Sequence, residues 1–179
     1  MRTGGRLFRR QGYANTSIKQ ILDESGVVAG SLYHHFPGGK QDLAAIVLRG
    51  SGAVIADHLR TALTGAATPA HAIQAWISLL EQSMAGSDGL EGCPVAPVAA
   101  EAPMAGTAVR EAAAAAFAGW AEVIAEHLSA AGHRRPTQAA TVVLSSIEGA
   151  LLLARTSGDP AALRTVRESI PKLLAALDS

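Results

Sequence analysis

The chain has 179 residues, 49% hydrophobic and 4% aromatic, and Ala and Leu supply the apolar content without β-branched alternation, which favours an all-helical protein. Net charge is zero, but residues 1–50 carry seven Lys and Arg against three acids, so this part is predicted to bind a polyanion. The single cysteine excludes an intrachain disulfide, and the absence of a signal sequence or of roughly 18 consecutive apolar residues predicts a cytoplasmic protein.

Apolar residues at helical spacing, interrupted by glycine and proline, divide the chain into helices. The pattern predicts helices over residues 3–11, 17–24, 28–35, 40–63, 69–85, 95–102, 106–131, 137–157 and 160–177. Residues 86–94 are predicted as a loop. The short helix at 95–102 is expected to end before Pro103, and Pro171 is expected to kink or restart the last helix.

The second and third of these helices form the most informative segment. Apolar residues follow Ile18 at the i, i+3, i+4 spacing of an amphipathic helix, and Thr16 or Ser17 is a candidate N-cap. Gly26 then supplies a turn, and the helical pattern restarts at once over 28–35. Two helices on a short turn that contains glycine predict a helix-turn-helix, whose second helix enters the major groove of DNA.

Two parts of the chain resemble known regulators. Residues 7–43 resemble the N-terminal domain of the tetracycline-repressor (TetR) family, through Leu7-Phe8, Gly12-Tyr13, Thr16-Ser17, Ser25-Gly26-Val27, Leu32-Tyr33-His34-His35-Phe36, Lys40 and Leu43. The segments 92–94, 99–101 and 148–155 are similar to its LmrA/YxaF-like branch. The first helix is shorter than is usual in the family.

The resemblance implies an all-α protein with a three-helix DNA-binding domain over residues 1–46 and a helical ligand-binding and dimerisation domain over 47–179. It implies a homodimeric repressor without a cofactor, released from a palindromic operator by a small, mainly apolar effector. The long helix that starts at Lys40 is the expected lever between the domains.

The resemblance also assigns DNA contacts residue by residue. Phosphate contacts are expected from Ser17, Tyr33, His34 and Lys40, and base-edge contacts from Val28, Ala29, Gly30 and Ser31. Val28 is a poor helix cap, and the absence of Arg and Lys from this helix predicts contact with thymine methyl groups rather than with guanine. Tyr33 as a core aromatic and His35 as a packing residue stay open as alternatives.

The remaining assignments concern the helical body. The candidate pocket residues are Trp76, Met84, Cys93, Met104, Phe117, Trp120 and Glu148, each of which also fits a plain core position. The last two helices are apolar on more than one side, and the candidate dimer-interface residues are Val143, Ile147, Leu151, Val166, Ile170 and Leu174. Glu148 fits either a ligand anchor or a polar group in the interface.

Other function classes have weaker support in the sequence. The adjacent pair His34 and His35 does not share a helix face, so a metal site is not expected there. Neither a nucleophile–base pair nor a phosphate-binding glycine loop is recognisable, which argues against an enzyme. A helical dimerisation or adaptor protein with a non-functional DNA-binding head remains the alternative, because Val28 and Ala29 depart from the family pattern.

Overall fold

The computed structural model describes residues 1–86 and 92–179, and within these ranges every regular element is an α-helix. The helices are α1 Arg2–Gln11, α2 Ile18–Ser25, α3 Ala29–His35, α4 Lys40–Leu63, α5 Pro69–Ala85, α6 Ala96–Ala99, α7 Ala102–Ala105, α8 Thr107–Ala130, α9 Pro136–Ser157 and α10 Ala161–Leu177. The predicted all-α fold is confirmed. Of the predicted loop over 86–94, residues 87–91 lie outside the described residues.

The segment around the two prolines 97 and 103 differs from the prediction. It forms two four-residue helices, α6 and α7, instead of one helix that ends before Pro103. Each proline lies in the first turn of its helix. Proline is tolerated there because its missing N–H would have no partner within the helix and its φ angle suits the helix start. Pro103 therefore begins a helix rather than ending one.

The chain divides into two compact units, of which the first comprises Met1–Val54 and Cys93–Phe117. It contains α1 to α3, the start of α4, the short helices α6 and α7, and the start of α8. Phe8, Leu43 and Leu48 are almost completely buried there, as are Val95 and Val98. The domain boundary expected after residue 46 stays a prediction.

The second unit comprises Ile55–Gly92 and Ala118–Ser179. In it α10 packs against both α5 and α9. Ile73 and Ile77 of α5 and Leu163 and Ile170 of α10 are almost completely buried. The Nε of Arg167 donates a hydrogen bond to Glu81 Oε1 at 2.7 Å, which adds a half-buried ion pair between α10 and α5.

Pro171 does not restart α10, which runs from Ala161 to Leu177 with the proline inside it. Proline has no N–H, so the carbonyl of Arg167, four residues earlier, loses its usual helical donor. The side-chain amide of Gln74 replaces that donor, with Nε2 3.0 Å from the Arg167 oxygen. Packing of Ile170 and Leu174 on either side of the proline holds the helix in place.

α9 contains no run of about 18 consecutive apolar residues, as predicted, but its average hydropathy is high. By length and composition it is long and apolar enough to cross a membrane, alone among the described helices. Of its most apolar 18-residue window, 39% is buried inside the chain. The core helix of a soluble protein meets the same criterion.

Candidate nucleic-acid interface

The helix α3 is exposed along nearly its whole length. Leu32 is 5% exposed, whereas the other six residues of α3 are all exposed to solvent. Val28, just before the helix, is 72% exposed. A single buried leucine, worth roughly 1.5–3 kcal/mol of burial, therefore anchors the helix and leaves its other faces open. This is the geometry that a groove-entering helix requires.

Local sequence sets the start and end of α2. The backbone N–H of Gln20 donates to Ser17 Oγ at 3.0 Å, so Ser17 is the N-cap that was predicted as one of two alternatives. Gly26 ends the helix in the left-handed conformation with φ 70°, which glycine adopts without steric cost. Val28 occupies the N-cap position of α3 and gives no side-chain hydrogen bond.

The aromatic and histidine cluster at the end of α3 points largely outward. Tyr33 is 52% exposed, which places it at the surface rather than in the core. His34 is exposed, and its ring meets the edge of the His35 ring at a centroid distance of 5.3 Å. His35 Nδ1 donates to the carbonyl oxygen of Ser31 at 2.8 Å, so that nitrogen is engaged within α3.

Lys40 starts α4 and lies over the loop that joins α1 to α2. Its Nζ is 4.2 Å from the centre of the Tyr13 ring and 3.4 Å from the Ala14 carbonyl oxygen, to which it donates. Partial burial lowers the pKa of Lys40, and the negative charge of Glu101 raises it in part. The phosphate contact expected from Lys40 would use its remaining ammonium hydrogens.

Glu101 lies between α6 and α7 and makes a contact that the sequence pattern did not predict. Its Oε1 accepts the backbone N–H of Tyr13 at 3.0 Å and its Oε2 accepts that of Ala14 at 2.7 Å. The only signal for this contact in the sequence was the place of Glu101 in the family resemblance at 99–101. Glu101 is separated from Tyr13 by 88 positions and from Ala14 by 87 positions, and no local pattern connects residues so far apart.

The expected pocket residues fall in different parts of the fold. The second unit contains the buried residues Trp76, Met84 and Trp120 and the partly exposed Glu148. The first unit contains the buried Cys93 and the partly exposed Phe117. The Cys93 Sγ accepts the backbone N–H groups of Val95 and Ala96 at 3.4 and 3.3 Å. This buried thiol therefore helps to begin α6.

Met104 is a correction to the expected pocket. Its side chain is 87% exposed, whereas Ala102 and Ala105 of the same short helix are buried. Burial of these two alanines turns Met104 to the surface, where it lines no enclosed cavity.

The stripe assigned to a dimer interface is mostly occupied within the chain. Val143, Ile147, Leu151, Ile170 and Leu174 are all at most 7% exposed, and Val166 is partly exposed. The apolar residues that α9 exposes are instead Leu152 and Leu153, at 66% and 62%. Those five expected residues are therefore core, and a partner subunit would not reach them.

The second unit has an open cavity of about 230 Å³ that the sequence did not indicate. Its lining includes Thr68, Leu128, His133, Leu174 and Asp178. His133 Nδ1 is 3.4 Å from Asp178 Oδ1. None of the expected pocket residues lines this cavity. Among the described residues, no group of three or more His, Cys, Asp or Glu has the arrangement of a metal site.

Two family descriptions match the chain. Residues 1–47 match "Bacterial regulatory proteins, tetR family", and residues 69–169 match "Transcriptional regulator LmrA/YxaF-like, C-terminal domain". The HTH-type transcriptional regulator LmrA of Bacillus subtilis is 37% identical over 171 residues, covering 94% of this chain and 91% of the relative. The uncharacterized HTH-type regulator YxaF of the same organism is 32% identical over 176 residues, covering 97% and 92%.

Solved structures share the same fold. A TetR transcriptional regulator from Legionella pneumophila superposes with a TM-score of 0.84 at 24% identity, over 96% of this chain and 92% of that chain. The reduced form of E. coli NemR gives 0.83 at 21% identity, over 96% and 93%. These matches cover nearly the whole length of the chain, and they agree with the helix-turn-helix formed by the capped α2 and the exposed α3. The chain belongs to the tetR family, LmrA/YxaF-like branch, and is a helix-turn-helix transcriptional regulator rather than an enzyme.

Proposed function

We propose that this regulator is a homodimeric repressor that leaves a palindromic operator when a small, mainly apolar effector binds. The observation that carries the proposal is the exposure of α3, in which Leu32 alone is buried. An exposed helix with one anchoring side chain is suited to enter a groove without loss of core packing. Since operator DNA lies in the bacterial cytoplasm, the protein is proposed to act there.

The proposed DNA contacts divide into two kinds. Phosphate contacts come from the hydroxyl and ammonium groups near the ends of the helices and from the His34 ring, and base-edge contacts come from the start of α3. The phosphate group is Ser17, Tyr33, His34 and Lys40, and the base-edge group is Val28, Ala29, Gly30 and Ser31. The exposed methyl groups of Val28 and Ala29 support apolar contact with thymine.

A second copy of the chain is proposed to cover the exposed face of α9. Ser145, Gly149, Leu152 and Thr156 are all exposed and recur at helical spacing, so they form one stripe, with Leu153 beside it. Small residues allow two helices to approach closely, and the leucines supply apolar area to bury. Two heads in one dimer would then match half-sites about one helical turn of DNA apart.

Effector control is proposed to follow from linkage. An effector that binds better when the two heads have the wrong spacing lowers operator affinity by its differential free energy, typically ~1–3 kcal/mol. The buried aromatic residues Trp76 and Trp120 support an effector that is mainly apolar. Met84 is a further proposed pocket residue, and Glu148 is the proposed polar anchor. α4 runs from Lys40 in the first unit to Leu63 in the second and is the proposed lever.

Operator binding tests this proposal directly. The purified protein is titrated against duplexes tiled across its own upstream DNA at two salt concentrations. A repressor binds one palindromic tile saturably, and its affinity falls steeply with salt because phosphate contacts release counterions. Equally weak binding to all tiles would instead support the alternative hypothesis of a dimerisation or adaptor protein whose helix-turn-helix does not bind DNA.

A further inference from the structure

Glu101 lies outside the helix-turn-helix, and its side chain is hydrogen-bonded to the loop between α1 and α2. The two carboxylate oxygens accept the backbone N–H groups of Tyr13 and Ala14, at 3.0 and 2.7 Å. Glu101, Tyr13 and Ala14 all belong to the first unit. Hydrogen bonds to a charged acceptor are stronger than neutral ones, so the carboxylate holds the Tyr13–Ala14 segment more firmly than a neutral acceptor would.

The loop is built to receive this carboxylate. Gly12 has φ 79°, and a Cβ at that position would lie 2.2 Å from Glu101 Oε1. The backbone conformation therefore favours glycine there, and a larger residue would also displace the Glu101 carboxylate from its present position. The buried Thr16 closes the loop, since its Oγ1 donates to the Gly12 carbonyl oxygen at 2.7 Å.

The loop that Glu101 holds in turn contacts Lys40, one of the proposed phosphate-binding residues. The Ala14 carbonyl accepts Lys40 Nζ, and the Tyr13 ring lies beneath the same ammonium group at 4.2 Å. Gln41, the next residue of α4, donates through Nε2 to the Ala105 carbonyl oxygen at 2.7 Å. Residues 101–105 thus hold both the loop before α2 and the first turn of α4.

We propose that Glu101 is a positioning residue that orients Lys40 toward the DNA backbone, so that operator affinity depends on a side chain outside the helix-turn-helix. This inference rests on the proposed function of the head as an operator-binding module. Lys40 is held by the Tyr13–Ala14 loop, and the loop is held by Glu101. If the carboxylate is lost, the loop relaxes and the ammonium group loses its defined direction.

The decisive variant is Glu101→Gln, with Glu111→Gln as matched control. The amide keeps the shape of the side chain, but its NH₂ group faces a backbone N–H and one of the two hydrogen bonds is lost. Both substitutions remove one negative charge, which by itself favours DNA binding, and Glu111 is an exposed residue of the same unit. We expect operator affinity of Glu101→Gln to fall at least about fivefold relative to Glu111→Gln, the equivalent of one net hydrogen bond.

A double-mutant cycle separates positioning of Lys40 from a general loss of structure. In a Lys40→Ala background, Glu101→Gln should cost little further affinity, because the group that it orients is absent. An undiminished cost in that background would overturn the proposal, as would equal affinities of Glu101→Gln and Glu111→Gln. If circular dichroism shows that Glu101→Gln is unfolded, Glu101→Asp takes its place in the same cycle, with the same expected loss.

The wild-type titration distinguishes this proposal from the proposed function. Absence of operator binding by the wild type would overturn both, since no phosphate contact would remain to be oriented. Salt-sensitive operator binding that Glu101→Gln leaves unchanged would overturn the role of Glu101 alone.

Discussion

Lys40 shows how a single side chain serves both the fold and the proposed interface. Its ammonium group lies over the Tyr13 ring and donates to the Ala14 carbonyl, and partial burial lowers its pKa. One of its three N–H groups is used within the protein, which leaves others for a phosphate oxygen. The same contacts that occupy Lys40 also fix its position, which would reduce the entropy lost in the proposed phosphate contact.

Substitution Lys40→Gln is expected to weaken binding of all DNA sequences to a similar degree. A phosphate contact carries no sequence information, and its loss should reduce the slope of log affinity against log salt by about 1. Affinity measured by fluorescence anisotropy at several salt concentrations gives this slope. Lys19→Gln is the control, since Lys19 is exposed and pairs with Asp23 at 2.6 Å. Equal slopes for both variants would contradict the assignment of Lys40.

Substitution Ala29→Arg is expected to change the preferred base at one position of each half-site. Ala29 is exposed at the start of α3 and has no hydrogen-bonding side chain. Arginine there can form a bidentate contact with guanine, worth about 1–3 kcal/mol of discrimination. Selection from a randomised operator library measures the preference. Ala53→Arg adds the same charge at an exposed position of α4 and should leave the preference unchanged.

At the scale of elements, the close approach of α4 and α8 in the first unit depends on one glycine. A Cβ at Gly52 would lie 2.8 Å from the Ala116 Cβ and 3.3 Å from its Cα. Neither atom belongs to a flexible side chain, so the helices themselves would have to separate. Gly50, two residues earlier on the same helix, faces open space.

Alanine substitutions at these two glycines are expected to change stability in opposite directions. Gly50→Ala should stabilise the protein by about 0.5–1 kcal/mol, because alanine loses less backbone entropy in a helix. Gly52→Ala should destabilise it by about 1–3 kcal/mol through overpacking. Urea unfolding followed by circular dichroism gives both free energies. A Gly52→Ala variant as stable as Gly50→Ala would show that α4 and α8 are further apart than described.

At the scale of the whole molecule, the exposed leucines of α9 would be buried against the second copy in the proposed dimer. Leu152 and Leu153 are both more than 60% exposed, whereas the other apolar side of α9 is used within the chain. Apolar area of this kind is buried when two copies meet, at roughly 25 cal/mol per Å². The proposed dimer also links two DNA-binding heads, which raises their joint affinity for a palindrome.

Substitution Leu152→Lys is expected to convert the dimer to a monomer without unfolding the chain. The residue is 66% exposed, so its replacement leaves the core intact while it places a charge in the proposed interface. Sedimentation velocity measures the mass in solution. Leu79→Lys, at a residue of α5 that is 50% exposed, is the control and should stay dimeric. Dimers in both variants would exclude the α9 stripe as the interface.

Much of the fold and part of the candidate site followed from local patterns. Ser17 as a cap, Gly26 as a left-handed turn and the apolar spacing within α2 depend on neighbouring residues only, and the structure confirms each of them. The position of Lys40 at the start of α4 also agrees with the prediction. The predicted restart of the helix at Pro171 does not occur. The side chain of Gln74, on another helix, replaces the donor that proline lacks, and no local pattern predicts that contact.

The sequence by itself determined the longer helices and the helix-turn-helix, because periodicity, capping and turn residues act over a few positions along the chain. The family followed from the resemblance of the motif residues between Leu7 and Leu43. Only the tertiary structure decided which apolar faces are covered: it buried Ile147 and Leu151, exposed Leu152 and Met104, and joined Glu101 to Tyr13. Burial depends on what each helix packs against. Residues far apart in sequence become neighbours only when the helices meet, and no local pattern records that contact.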